Sequence, residues 1–456
     1  MLVPCLSLDG VLADPDLAKR YGVLGTLLLQ PSQSSALPAV IPVALLHHHS
    51  LALGPLALAQ VEEVRPWLHS GIRKAFFTIP KDMPVNRVRE ELAPLPRDRV
   101  GAIVVVDAKE GARAYLAERV TQLCADASTI ILQIEEGVVD GEESLVEMVK
   151  SVRQATKPSA LFWGMMVKAP ASMTWSATSI SALHKMEIQA LIPATTVAGN
   201  KISTTTTTNT GPTDLLNPLL PLGQSLVDGV DAFLACLRTD RSDGLFTTVV
   251  VDESNMALGL VYSSGESVRA SVAEQRGIYY SRSRSSLWRK GDSSGAVQEL
   301  VSLDMDCDSD ALRFVVRQRG DPPAFCHLNR RNCWQRDRGL TALQRTLEER
   351  LKKATEGSYT RRLFQDPELL RHKLVEEAQE LSEAVEPDDV AAEAADVFYF
   401  ALVRCVAAGV GLEDVERHLD ARMLKLARRP GNAKAYRIEA AKAILANESP
   451  PSASPS

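Results

Sequence analysis

Tyr279–Gly295 reads YYSRSRSSLWRKGDSSG, with DCDSDAL following at 306–312 and CHLNRRNC at 326–333. Around these segments the apolar runs are short: Phe246–Val251, Ala257–Ser263, Gly277–Ser281, Val297–Asp304 and Ala311–Gln318, with turn residues between them. That spacing predicts a small β-rich α+β domain, opening at the charged, turn-rich Arg238–Gly244 and closing near Trp334. From Leu340 onward long runs of Leu, Ala, Glu, Lys and Arg predict an all-α domain. Before Leu237 the pattern alternates. Runs of β type (Val23–Leu29, Val40–Leu46, Lys74–Ile79, Val100–Asp107, Thr129–Glu135, Ala160–Val167, Ile188–Pro193) are interleaved with helical stretches (Ala59–His69, Ala108–Cys124, Glu142–Thr156, Ser176–His184). Such alternation predicts a parallel sheet covered by helices, open or closed into a barrel. The polar, Thr-rich Lys201–Thr213 reads as a solvated loop, and the Pro/Ser-rich end as a disordered tail. The chain of 456 residues is therefore expected to be multidomain, divided at 1–237, 238–335, 336–446 and 447–456.

The middle segments carry two kinds of metal ligand. If Asp306–Asp310 is extended, Asp306, Asp308 and Asp310 share one face and Cys307 points to the other. Carboxylates suit Mg²⁺, whereas thiolates suit Zn²⁺. Cys326 and Cys333 offer two further sulfurs, and three protein ligands leave a fourth zinc position for a water made more acidic. The bland alternative is a solvated aspartate turn with cysteines in a core. Upstream, Arg282, Arg284, Arg289 and Lys290 supply cations and Ser283, Ser293 and Ser294 hydroxyls. Gly291 and Gly295 allow close backbone approach, so the stretch reads as a phosphate cradle or as a solvated basic hairpin.

Taken together, these residues resemble phosphoribosyl-AMP cyclohydrolases across nearly all of Gly244–Trp334. The resemblance implies a zinc site of Cys326 and Cys333 with Cys307 supplied by a partner subunit, hence a homodimer. It also implies Mg²⁺ on Asp306, Asp308 and Asp310, and His327 as a general acid or base. Arg282, Ser283, Arg284, Trp288, Lys290, Gly291, Ser294 and Gly295 become expected substrate contacts. Leu328, Asn329 and Asn332 stand where that family more often carries Thr, Gly and Ser.

In the helical region Lys373, Glu376, Glu377 and Glu380 fall on one helix face, and Glu393 and Asp396 lie three apart on the next helix. Pro387 is expected to end the first helix, with an Asp capping the second. If the two pack antiparallel, five carboxylates converge, a costly arrangement unless a cation neutralises it. Ordinary surface charge is the alternative, against which Ala378, Leu381, Ala392, Ala395 and Val397 flank the acids. The Glu-Glu-x-x-Glu and Glu-x-x-Asp spacing, with Gly357–Thr360 and Asp396–Tyr399, resembles phosphoribosyl-ATP pyrophosphatases. This implies Mg²⁺ on all five acids, catalysis through them, and Lys373 meeting a phosphate.

The order of domains resembles the fungal multifunctional histidine-biosynthesis proteins, a likeness to which Arg238–Phe246 and Ser358–Phe364 contribute. Two consecutive hydrolyses follow as the expectation, on phosphoribosyl-ATP and then phosphoribosyl-AMP. About thirty residues remain after Leu426, fewer than the ~100 of a typical domain, so no histidinol dehydrogenase domain is expected. The first strand, Val3–Gly10, and Gly229–Phe233 loosely resemble histidine-pathway phosphoribosyl isomerase barrels. Ser7 replaces their catalytic Asp, so the region reads as a structural or oligomerising module of degenerate barrel character. His47, His48 and His49 read as a strand-end polar cluster rather than a metal site. Two rival readings are a non-catalytic scaffold and a general nucleotide pyrophosphatase.

A net charge of −6 gives no reason to expect nucleic acid. No apolar run reaches the roughly 18 residues of a membrane span, and the start shows no targeting pattern, so a cytoplasmic protein is expected. Of seven cysteines, Cys5, Cys124, Cys236 and Cys405 read as small core residues. The cluster of Cys307, Cys326 and Cys333 favours metal over disulfide.

Overall fold

The computed structural model describes residues 2–14, 18, 21–31, 37, 50–107, 113–156, 164–170, 172–173, 175–193, 229–321, 323–334, 338–426 and 438. The expected strand at Val40–Leu46, the three histidines, the Thr-rich insert and the Pro/Ser tail lie outside these residues.

Eight parallel strands close into a barrel. In chain order it consists of β1 (Leu2–Ser7), α1 (Leu8–Ala13), β2 (Leu27–Gln30), β3 (Leu51–Leu56), α2 (Val61–Ser70), β4 (Lys74–Ile79), α3 (Val85–Leu92), β5 (Val100–Val106), α4 (Arg113–Leu123), β6 (Thr129–Ile134), α5 (Glu142–Ala155), β7 (Gly164–Lys168), α6 (Ala177–Lys185) and β8 (Ile188–Pro193). The sheet closes where β1 pairs with β8, Val3 opposite Leu191. Both faces of each strand are covered, which is why the runs are almost continuously apolar. Outward residues such as Val104, Leu132 and Val167 pack under the helices, while Val3, Cys5, Leu28, Ala52, Phe76, Ile103, Ile131 and Leu191 fill the lumen. A Cβ on Gly101 would stand 2.2 Å from the Phe76 ring, so this glycine makes room for the plug.

The barrel leads through α7 (Gly229–Cys236), which takes in the Gly229–Phe233 segment, into β9 (Phe246–Val251), β10 (Ala257–Ser263), α8 (Gly265–Glu274), the hairpin β11 (Ile278–Ser281) and β12 (Ser286–Arg289), then β13 (Gln298–Met305) and β14 (Ala311–Gln318). The main sheet has the order β10-β9-β14-β13. The rest is helical: α9 (Gly339–Lys353), α10 (Tyr359–Gln365), α11 (Pro367–Glu383), α12 (Pro387–Ala407) and α13 (Leu412–Met423). Its core is small, built on Leu347, Leu363, Leu370, Phe400, Leu402, Val403 and Val406.

Several expectations change. Asp306–Asp310 is not extended; β13 ends at Met305 and the aspartates form the tight turn into β14, with Ser309 at φ +65°. Hydrogen bonds from the backbone amides of Asp310 and Ala311 to Asp306 hold that turn. Pro387 opens α12 rather than ending α11, its missing N–H costing nothing at a first helical turn, and the N-cap is Glu386 without a side-chain cap. Leu51–Leu56 and Ser286–Arg289 are strands that the sequence pattern did not indicate.

Among the described residues, several contacts tie the barrel to the rest. The backbone amide of Leu303 donates to Val23 O at 2.7 Å. His184 Nε2 on α6 lies 2.7 Å from Ser309 Oγ. Buried Arg99 donates to the carbonyls of Arg73, Leu68 and Ile72 and, at 2.5 Å, to Leu424 O beyond α13.

Candidate functional site

The turn after β13 brings one carboxylate oxygen each from Asp306, Asp308 and Asp310 within 4.8 Å of one another. Desolvation, the largest single influence, works upward on the Asp306 carboxyl, but backbone hydrogen bonds from Ala311 and Asp310, with side-chain bonds to Asp308 and Asp310, together hold it below its ordinary value. Asp310 is pushed up, chiefly by the Asp308 charge. Arg238 neutralises part of this field, its Nη2 lying 2.7 Å from Asp308 Oδ2. The three acids thus share a face because the chain turns, not because it alternates.

Cys326 and Cys333 come together in the segment after β14. Asn329 N donates to Cys326 O, and the amides of Phe325 and Cys326 both reach Arg330 O, which makes a compact turn. Asn329 sits at φ +58°, where glycine is ordinarily favoured and Asn is the best-tolerated replacement, so the departure from the family's usual Gly is accommodated. Cys333 N donates to Leu258 O at 2.8 Å, docking the loop on β10. A Cβ on Gly259 would be 2.2 Å from the Phe325 ring and 3.1 Å from Cys333 Sγ. That glycine was not among the expected site residues; only its position inside a strand hinted at a close approach. Burial raises the Cys333 thiol, and its hydrogen-bonded neighbour Cys326 adds to this. His327 Nδ1 lies 3.8 Å from Cys326 Sγ. Cys5, Cys124 and Cys236 are buried as expected, Cys405 half-buried.

Among the described residues, Cys307 is not gathered with Cys326 and Cys333. Sheet geometry explains this. Ala311, just past the turn, aligns with Thr247 on β9, whereas Gly259, against Cys333, aligns with Val250. Three residues along and two strands across amount to about 10 Å each way.

The expected anion cradle is split. Arg282, Ser283 and Arg284 form the tip of the β11–β12 hairpin, Arg282 stacked 4.0 Å over Tyr262 and Arg284 Nε donating to Ser281 Oγ. Lys290 lies at the other end, buried, with its ammonium depressed by burial and supported by Cys326 and Cys333. Gly291 to Gly295 then make a turn, closed by Gly295 N to Gly291 O at 2.8 Å, with φ +95° and +72° at the two glycines. Ser294 Oγ accepts from Ala296 N. Trp288 packs on Tyr279 with ring centroids 5.8 Å apart.

In the helical region α11 and α12 gather the five acids, four of them round the fifth. Glu377 belongs both to a cluster with Glu376 and Glu380 and to one with Glu393 and Asp396. It is 5% exposed, far too buried for ordinary surface charge. Lys373 Nζ lies 2.6 Å from Glu377 and 2.9 Å from Glu376, bonds that raise its ammonium above the ordinary value. Desolvation and then the charges of Glu377, Glu393 and Glu376 raise the carboxyl of Glu380. Thr360 Oγ1, from the Gly357–Thr360 segment, meets Tyr399 Oη at 3.0 Å.

The phosphoribosyl-AMP cyclohydrolase family model matches residues 259–335, and the phosphoribosyl-ATP pyrophosphohydrolase model residues 340–423. The histidine biosynthesis bifunctional protein of Schizosaccharomyces pombe is 53% identical over 204 residues, 45% of this chain and 48% of that protein. The trifunctional protein of Kluyveromyces lactis is 56% identical over 211 residues, 46% of this chain and 26% of its own. The chain thus spans half or less of the length of these fungal relatives. A bacterial protein, the histidine biosynthesis bifunctional protein HisIE of Xanthomonas axonopodis, is 36% identical over 198 residues, and 94% of it is covered. With both family models met in sequence and that relative covered almost end to end, the chain belongs to the family of bifunctional histidine-biosynthesis proteins that join a phosphoribosyl-AMP cyclohydrolase to a phosphoribosyl-ATP pyrophosphohydrolase.

Proposed function

We propose that the chain hydrolyses phosphoribosyl-ATP to phosphoribosyl-AMP and pyrophosphate, then hydrolytically opens the adenine ring of phosphoribosyl-AMP, as consecutive steps of histidine biosynthesis. One observation carries this reading: four carboxylates surround the buried Glu377 on the same chain that pairs Cys326 with Cys333. The domains are taken as 1–237, 238–335 (cyclohydrolase), 336–446 (pyrophosphatase) and 447–456. Among the described residues no single helix is long and apolar enough to cross a membrane; a cytoplasmic location and no nucleic-acid partner complete the proposal.

In the helical domain the acid cluster suits Mg²⁺, because its carboxylate oxygens lie within 4.8 Å of one another in two groups that share Glu377, and like charges need a counter-ion. Glu376, Glu377, Glu380, Glu393 and Asp396 would hold the metal, which would screen the triphosphate and favour attack by water. Lys373, fixed by two glutamates, supplies a cation for the phosphates. In the middle domain Cys326 and Cys333 form two of the three ligands of a thiolate site suited to zinc, with Cys307 contributed by a second copy; the acid turn suits Mg²⁺. Zinc there would supply the Lewis acidity that makes water nucleophilic at neutral pH. His327, beside the thiol pair, moves a proton. Arg282, Ser283 and Arg284 at one end of the hairpin, with Trp288, Lys290, Gly291, Ser294 and Gly295 towards the other, bind separate parts of the nucleotide. The thiolate expected from a second copy makes the protein a homodimer in this reading.

The test is purified protein with phosphoribosyl-ATP and, separately, plain nucleoside triphosphates. Pyrophosphate followed by ring opening is expected from the first alone. Equal turnover of plain triphosphates would indicate a general pyrophosphatase, and no turnover of either a non-catalytic scaffold.

A further inference from the structure

Neither proposed hydrolysis needs a barrel residue at its reacting atoms, yet the barrel reaches one of the proposed metal sites. The contacts it makes with the other domains lie at the amino end of its strands: Val23 precedes β2, Arg99 precedes β5 and His184 lies shortly before β8. Two of these contacts meet the β13–β14 hairpin on either side of Asp306. Val23 O accepts from the Leu303 amide at 2.7 Å, and His184 Nε2 shares a hydrogen with Ser309 Oγ at 2.7 Å. The barrel therefore grips the acid turn of the middle domain both before and after its first aspartate.

Ser309 is the residue on which that turn depends. It separates Asp308 from Asp310 and holds φ +65°, a left-handed conformation that a residue with a Cβ adopts only where its surroundings fix it. It is 4% exposed, whereas Asp306, Cys307 and Asp308 beside it are exposed. Two sides fix it. Arg238, just beyond α7, donates from its backbone amide to Ser309 O at 2.9 Å and from Nε to Asp308 O at 2.7 Å. His184, in the last turn of α6, holds the hydroxyl. The two helices pack on each other, with Ile180, Leu183, Ala232 and Phe233 buried in one core, so both grips belong to one platform. Burial pushes the His184 imidazole down to about 4. At neutral pH the ring is uncharged and holds the hydroxyl without adding a cation beside the three carboxylates.

We propose that His184 is a positioning residue for the cyclohydrolase: through Ser309 it holds Asp306, Asp308 and Asp310 in the arrangement that receives Mg²⁺. Groups standing behind metal ligands set the orientation of those ligands and with it the affinity for the ion. The inference rests on the reading of this turn as a Mg²⁺ site. It gives the barrel a part in ring opening, as the platform on which the metal-binding turn is set.

Calorimetric titration of the full-length protein with Mg²⁺ tests it, comparing wild type, Asp310→Asn, His184→Ala and His184→Gln. Binding by the helical domain is common to every variant and cancels in the differences, so the difference between wild type and Asp310→Asn is the turn's own site. Loss of one hydrogen bond to a buried group predicts that His184→Ala weakens this site roughly three- to tenfold. Glutamine places an amide nitrogen near the position of Nε2 and should restore most of the affinity. Ser309→Ala should weaken the site as much as His184→Ala, and the double variant no more than either, because the same bond is lost in all three. In turnover, His184→Ala should raise the Mg²⁺ concentration at half-maximal cyclisation by the same factor, with the rate at saturating Mg²⁺ near wild type and pyrophosphate release unchanged. Wild-type affinity in His184→Ala, with Asp310→Asn impaired, would overturn the inference and leave the metal site standing. So would additive losses in the double variant, a glutamine no better than alanine, or pyrophosphate release falling in step. If Asp310→Asn titrates like wild type, the turn holds no Mg²⁺, and the metal reading and the inference fall together.

Discussion

Mixing two inactive proteins, Cys307→Ser and Cys326→Ser, should restore ring opening. The expectation comes from the middle sheet. Cys307 lies in the turn beyond Ala311, and Cys333 docks at Gly259, three residues along and two strands across by register. Those two sheet positions are about 14 Å apart, whereas zinc–sulfur bonds of about 2.3 Å need sulfurs within roughly 4 Å of each other. This spacing supports the proposal, which the cyclohydrolase resemblance implies, that the third thiolate comes from a second copy. In a mixed dimer one site takes Cys307 from the Cys326→Ser chain and the thiol pair from the Cys307→Ser chain, and is fully wild type. The other site carries both lesions. Random reassortment makes about half the dimers mixed, and each has one working site of two, so activity should recover to about a quarter of wild type. The assay is cyclisation of supplied phosphoribosyl-AMP after subunit exchange, followed by mass spectrometry of differently tagged chains. Proven exchange with no recovery would refute the shared site.

Glu377→Gln should slow pyrophosphate release by roughly a hundredfold or more, about 2.7 kcal/mol, while cyclisation stays near wild type; a retained rate at ordinary Mg²⁺ would make Glu377 a packing residue. Gly259→Ala places a Cβ 2.2 Å from Phe325, and this overpacking should cost roughly 1–3 kcal/mol and lower zinc content, measured by metal analysis and thermal unfolding; unchanged values in both would sink the account. Burial lowers the Lys74 ammonium to about 8, whereas the unfolded lysine titrates near 10.5. Between those values the unfolded chain binds more protons, so stability should rise with pH through that window, by at most on the order of 3 kcal/mol. The cost is fully present below pH 8. Denaturant midpoints at pH 7.5 and 9.5 should differ in wild type and less in Lys74→Met; equal slopes would discount the buried ammonium.

What could be read from sequence divides along physical lines. The middle strands were legible because β9, β10, β13 and β14 are apolar runs set off by turns. Leu51–Leu56 escaped because Gly54 and Pro55 signal a break, yet the closed barrel supplies partners on both sides. Ser286–Arg289 escaped because its polar residues read as an anion loop, although Trp288 pairs across to Tyr279. The acid set at 306, 308 and 310 was found for the wrong reason, since alternate spacing fits a strand face and this tight turn equally well. Glu377 was legible as a position but not as the shared centre of two clusters, because which carboxylate is buried depends on how α11 meets α12. Arg238 and Gly259 act only through residues far away in sequence, a relation that no local pattern encodes.

Arg99 and Leu424 have unequal shares in the bond they make. The acceptor is a backbone carbonyl 325 positions from the arginine, and every amino acid has one. Changes of side chain at residue 424 therefore leave the acceptor in place, while loss of the guanidinium removes the contacts with four carbonyls at once. A library randomised at both positions should accept many residues at 424 and few at 99, so a single codon in the barrel would govern how firmly the far end of the chain is held.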